Sequence, residues 1–237
     1  MKIPILMYHY IGVPQDPKDR PYYVSAKQFA KHIEFINRRG FQTIGLTDLV
    51  EHLYHSKPID QRSVIITFDD GHISFAEKAF PILSYHRFKA TMFLITSRIG
   101  QRNYMDWPEI YDMQNCGVSF QSHSVTHAIL TKTELDNAKK EISTSKKILE
   151  DKLSQKVDFF AYRGGHFNTA IKGLVKASSY AAAVCSKHGY NTPLTDRYEL
   201  RRVPVRSNDN IFRFGAKIYG RNLQNRFYMF IAHYLLR

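Results

Sequence analysis

The stretch VIITFDDGHIS (64–74) runs strand-favouring residues straight into two adjacent carboxylates, a glycine and a histidine. An apolar run of this kind reads as a strand buried on both faces, as in parallel sheets flanked by helices. Two neighbouring carboxylates repel one another unless a cation or a proton offsets their charge. Adjacent strand residues also point to opposite sides, so Asp69 and Asp70 are expected to serve two separate purposes. Taken alone, the pair is equally compatible with a helix cap beside a solvated acid.

Comparable short apolar runs recur at 3–9, 90–96, 117–123, 157–162 and 180–186. Helical periodicity lies between them. Residues 25–40 place Phe29, Ile33 and Ile36 on one face and end at Gly40. Residues 131–153 turn Leu135, Ile142 and Leu149 inward and set Thr131 and Glu134 in capping-box register. Further helices are expected over 73–85 and 166–177. The alternation predicts an α/β fold with parallel strands, either a barrel or a wound sheet, and in both the chemistry gathers at the carboxyl ends of the strands. The expected division is one domain over 1–210 and a terminal segment over 211–237.

The formal net charge of +13 is spread along the 237 residues and forms no dense basic block, so nucleic acid is not an expected partner. Cys116 and Cys185, the two cysteines, stand in no ligand spacing and are expected to be buried thiols. The opening MKIPILMYHYIG contains Pro, Tyr and His without a small-residue cleavage site, which reads as a strand and not a secretory leader. No run reaches transmembrane length, and the expected location is cytoplasmic. Residues 211–237 contain no acid but many aromatic and basic residues. They suit either a helix docked on the domain or a segment lying on the inner membrane surface.

Polar clusters sit where such a fold would collect them. His123 and His127 follow the 117–121 strand, and one helical turn would put both imidazoles on one side. With a carboxylate they would make a facial set for a divalent metal, although an HxxxH pair alone is as well explained by structural histidines. One aspartate would then bind the metal and the other accept a proton from water. Tyr10 and Tyr162 are placed either to line a strand-end cleft or to pack half-buried.

TFDDG (67–71), HSVTH (123–127) and FAYRGGHFN (160–168) resemble the first three motifs of the polysaccharide deacetylases, the NodB-type carbohydrate esterase family 4. ILMYH (5–9), the 105–123 run and YELRRVPV (198–205) are similar to members from exopolysaccharide and cell-envelope pathways. The resemblance implies a distorted, incomplete (β/α) barrel. It implies Asp69 as general base and Asp70, His123 and His127 as ligands of a divalent metal, zinc foremost, with cobalt, nickel or iron as alternatives. In the third motif Ala161 stands where the family has arginine, and Arg163, two positions later, is the candidate to orient Asp69. Gly164 would offer a backbone N–H to the oxyanion, Gly165 is the motif's retained glycine, and the two are implied substrate contacts together with Tyr10 and Tyr162, whose rings could stack on a sugar. The family's last motif has no counterpart near the C-terminus. One permuted branch takes its acid from an N-terminal YH, which here selects His9. The implied reaction removes acetyl groups from an N-acetylated amino-sugar polysaccharide or lipid-linked glycan. An O-acyl esterase and an inactive sugar- or membrane-binding relative are the alternatives.

Overall fold

The structure is a computed structural model and describes residues 2–220. The strands are Ile5–Tyr8 (β1), Tyr10–Ile11 (β2), Tyr23–Val24 (β3), Gln42–Thr43 (β4), Ser63–Asp70 (β5), Ala90–Leu94 (β6), Val118–Ser122 (β7), Phe159–Ala161 (β8), Ala182–His188 (β9) and Leu200–Pro204 (β10). The helices are Ala26–Arg38 (α1), Leu46–His55 (α2), Phe80–Tyr85 (α3), Trp107–Asn115 (α4), Leu135–Leu153 (α5), Thr169–Ala177 (α6) and Ile211–Ile218 (α7). Apart from the small β2–β3 pair, the strands form one sheet in the order β1-β10-β9-β8-β7-β6-β5-β4. Every pairing is parallel, and β1 also pairs with β5, which curls the sheet into the expected distorted, incomplete (β/α) barrel.

The alternation along β5 explains why all eight of its residues are buried. Val64, Ile66 and Phe68 face the helices in the larger core, whereas Ile65 belongs to a smaller cluster with Phe93, Ala161 and Val184 inside the barrel. Leu46, Leu49, Val50 and Leu53 of α2 join that inner cluster and plug the barrel near the start of β5. Thr67 and Asp69 share the inward register of Ile65, so the acidic end of β5 opens at the other mouth.

α1 runs as expected: Ser25 accepts from the Gln28 amide, Phe29, Ile33 and Ile36 are buried, and Gly40 follows with φ 68°. α5 begins later than its sequence suggests. Residues 130–132 form a separate 3-10 turn, Glu134 caps without a side-chain bond, and Leu135 is 55% exposed. Its buried stripe is instead Ala138, Ile142, Ser145, Leu149 and Leu153. The expected 73–85 helix is split into a π turn over Phe75–Ala79 and then α3. Pro81 has no N–H for a Glu77 carbonyl, and the Phe80 amide reaches back to Phe75. β10 and α2 were not among the elements read from the sequence.

α7 turns Phe214 and Ile218 into the main core, where Phe214 stacks on His32 with ring centroids 4.0 Å apart. This part of the 211–237 segment therefore offers its apolar side to the domain and not to a bilayer; residues 221–237 lie outside the described residues. Among the described residues no helix is long and apolar enough to cross a membrane. Cys185 is buried as expected, but Cys116 is exposed.

Candidate active site

The two adjacent aspartates turn to different partners. Asp69 lies on the inner register of β5 and is 3% exposed. Arg202, from β10, donates to both of its oxygens: Nη1 to Oδ1 and Nη2 to Oδ2, each at 2.7 Å. Arg202 also donates to the Cys185 carbonyl from Nε at 3.1 Å and to Thr67 Oγ1 from Nη1 at 3.3 Å, so every nitrogen of this fully buried guanidinium has a partner. Burial pushes the Asp69 carboxyl up, but the Arg202 charge and its hydrogen bonds outweigh burial and hold it well below the usual carboxylate range.

Asp70 leaves the strand with φ 80°, followed by Gly71 at φ 82°. A Cβ on Gly71 would stand 2.8 Å from Leu94 Cδ2, so the sharp exit requires glycine there. The Tyr10 hydroxyl donates to Asp70 Oδ2 at 2.5 Å. Asp70 Oδ1 instead faces His123 Nε2 and His127 Nε2, each 3.6 Å away. That spacing is too long for hydrogen bonds, so the three groups are not joined to one another and their lone pairs share one space.

His123 Nδ1–H donates to the Ala161 carbonyl at 2.7 Å, which leaves Nε2 as a free lone pair. His127 is lowered to about 4 by burial and by the neighbouring His123, so it is neutral at pH 7. The imidazoles are not brought together by a helical turn, as their spacing suggested. Ser124 and His127 take φ 67° and 64°, and this loop is anchored by Glu141 of α5, whose carboxylate accepts from the Val125 and Thr126 amides and the Thr126 hydroxyl. Two imidazole nitrogens and one carboxylate oxygen, all within 4.8 Å of one another, suit a divalent cation.

These groups open into a cleft of about 600 Å³ that is also lined by His9, Tyr22, Arg163, Gly164 and His166. The His9 ring lies 5.1 Å from that of Tyr22 and 6.1 Å from that of Tyr10. Burial lowers its pKa, opposed by the charges of Asp69 and Asp70. Tyr10 lines the cleft but spends its hydroxyl on Asp70, so it supports that carboxylate as well as facing the opening.

Three expectations are corrected. The guanidinium on Asp69 belongs to Arg202 and not to Arg163, which is exposed on the cleft wall. Tyr162 is wholly buried against Phe160 and Phe167 and presents no face to a sugar. Gly165 serves packing: at φ 73° an added Cβ would lie 2.6 Å from the Ser186 amide nitrogen. Its N–H and that of His166 close the local turn, in which the Gly164 amide takes no part. Arg202 was missed, although LRRVP alternates so that Leu200 and Arg202 face inward and Arg201 outward. An arginine in the inward register of an apolar strand was the available signal.

Known proteins resemble this chain in sequence and in fold. A sequence model described as polysaccharide deacetylase matches residues 56–183. YxkH of Bacillus subtilis, whose name places it among the polysaccharide deacetylases, is 28% identical over 217 residues, covering 92% of this chain and 76% of its own. The poly-beta-1,6-N-acetyl-D-glucosamine N-deacetylase of Staphylococcus aureus is 26% identical over 202 residues, 78% of this chain and 68% of that protein. The solved structure of the Streptococcus pyogenes deacetylase PplD in complex with acetate superposes with a TM-score of 0.87 at 26% identity, covering 92% of this chain and 98% of that one.

Proposed function

The chain belongs to the polysaccharide deacetylase family, and we propose that it uses a divalent cation, zinc by preference, to remove N-acetyl groups from an amino-sugar glycan. One observation carries this reading: Asp70 Oδ1 faces two imidazole Nε2 atoms at 3.6 Å while its neighbour Asp69 is held ionised by Arg202. Asp70, His123 and His127 would hold the cation, which when bound supplies Lewis acidity to an acyl oxygen and to water. Two imidazoles and a carboxylate favour zinc over harder cations.

The chain's own residues do the rest. Asp69 takes the proton of the attacking water on a carboxylate oxygen, using a lone pair that the Arg202 fork leaves open. The Gly164 amide, not engaged by its turn, is available to the developing oxyanion. His9, on the same cleft, delivers a proton to the departing amine. The products are acetate and a free amino sugar. The Staphylococcus aureus relative, named for poly-beta-1,6-N-acetyl-D-glucosamine, supports N-acetylated glucosamine as the sugar that reacts.

The test is bound metal and acetate release from N-acetylglucosamine oligomers, for the wild type, Asp69→Asn and His127→Ala. Asp69→Asn is expected to keep metal and lose activity, and His127→Ala to lose both. A wild type without metal, or variants equal to it in rate, overturns the proposal. Acetate released from O-acetylated but not N-acetylated glycan replaces it with an esterase.

A further inference from the structure

The cleft carries two guanidinium groups for which this chemistry has no use. Arg163 follows β8 and Arg206 follows β10; both are exposed and line the cleft with the Asp70–His123–His127 cluster. Neither side chain meets an acid among the described residues, whereas the third arginine at the site, Arg202, is ion-paired with Asp69. Asp19 is the one other acid on the cleft wall, and Asp69 is already neutralised by its partner. Arg163 stands beside Gly164 on the wall that also carries His123 and His127, at the reacting end of the cleft.

The positive wall does not stop at the cleft. An adjoining groove of about 510 Å³ shares Pro21 and Arg206 with it and adds Lys18 and Arg20 from the Pro17–Tyr22 turn. A basic track therefore leads outward from the site, in a chain whose formal net charge is +13. A neutral polymer of N-acetylated sugars offers such groups hydrogen-bond acceptors but no charged partner. Guanidinium forks match the two oxygens of a carboxylate or a phosphate, and their pull on such a group is strongest where several converge.

We propose that the glycan taken by this site is anionic, with a phosphate or carboxylate near the reacting N-acetyl sugar that Arg163 and Arg206 hold. The inference rests on the deacetylase reading for which sugar reacts, but its own content is a charge preference in binding. Arg163 and Arg206 act on specificity. Lys18 and Arg20 extend the same field along the chain of the substrate.

The experiment uses three N-acetylglucosamine oligomers of equal length: neutral, phosphate-bearing and uronate-bearing. Equilibrium binding and acetate release are measured for each at low and high NaCl, with inorganic phosphate alone as a competitor. At least one anionic oligomer is expected to bind about tenfold more tightly than the neutral one, with the advantage shrinking in salt. The phosphate and uronate arms identify the group. R163Q and R206Q each reduce the advantage, the double variant removes it, and R163K and R206K keep part of it. Equal binding of all three oligomers by the wild type, or an advantage untouched in the double glutamine variant, overturns the proposal. An anionic preference in binding with no acetate released from any oligomer sustains the inference and overturns the deacetylase reading alone.

Discussion

Arg202 grips Asp69 through both carboxylate oxygens at 2.7 Å, across 133 positions of sequence. Both groups are buried, so each is the condition for the other's charge. Arg202→Met strands the carboxylate and is expected to cost about 3–5 kcal/mol of stability. Asp69→Asn in the Arg202→Met background should recover much of that loss and no activity. Urea denaturation alongside acetate release checks the cycle; a single Arg202→Met variant as stable as the wild type would contradict it.

Tyr10 occupies Asp70 Oδ2 and leaves Oδ1 to face the imidazoles. Tyr10→Phe frees the carboxylate to rotate and is expected to weaken divalent-metal binding by about 10–100-fold. Metal titration by calorimetry reads this independently of turnover. An unchanged affinity would show that Asp70 is fixed by its backbone alone.

His32 sets a pH dependence away from the cleft. Its Nε2–H donates to the Asp209 carbonyl at 2.9 Å and its Nδ1 accepts from the Tyr8 hydroxyl at 3.1 Å, so it is held neutral. Burial lowers its pKa to about 4, against the upward pull of Asp209 and with the help of the Lys217 charge. The unfolded chain binds this proton from 6.5 downward and the folded one only near 4, so stability falls as pH drops through that window. The full loss is about 3 kcal/mol. Urea midpoints at pH 8, 6 and 4.5 should show it for the wild type, and His32→Gln should flatten the slope.

Two glycines separate packing from propensity. Gly165→Ala forces a Cβ to within 2.6 Å of the Ser186 amide at φ 73° and is expected to cost about 3 kcal/mol. Gly173, inside α6, has nothing within 4 Å of an added Cβ. Gly173→Ala should stabilise by up to about 1 kcal/mol. Opposite shifts in melting temperature are the expected result, and two shifts of the same sign would refute the reading.

What sequence reasoning recovers here follows the range of the interaction. The strands around Asp69 and the α1 face with Phe29, Ile33 and Ile36 are local patterns, and they are found where read. Asp70, His123 and His127 also converge, because parallel strands deliver their carboxyl ends to one mouth. The backbone that aims the histidines is another matter: left-handed Ser124 and His127 pinned by Glu141 leave no periodic trace. Arg202 escaped because its meaning depends on Asp69, a residue distant in sequence and near only once the sheet has curled. Tyr162 misled for a similar reason, since an aromatic beside a glycine loop reads alike whether it lines a cleft or fills a core.

The seat of β1 between β5 and β10 bears on how the protein is made. Leu6 pairs with Ile66 on one side and with Val203 on the other, so the earliest strand of the sheet waits for its latest before it is flanked. Such distant pairing closes long loops before any contact rewards them, which slows folding and leaves strand edges open meanwhile. His9 arrives with the first strand and Arg202 with the last. A chain still being synthesised therefore holds neither a completed sheet nor an Asp69 paired with Arg202, and the cleft is assembled only once β10 has docked.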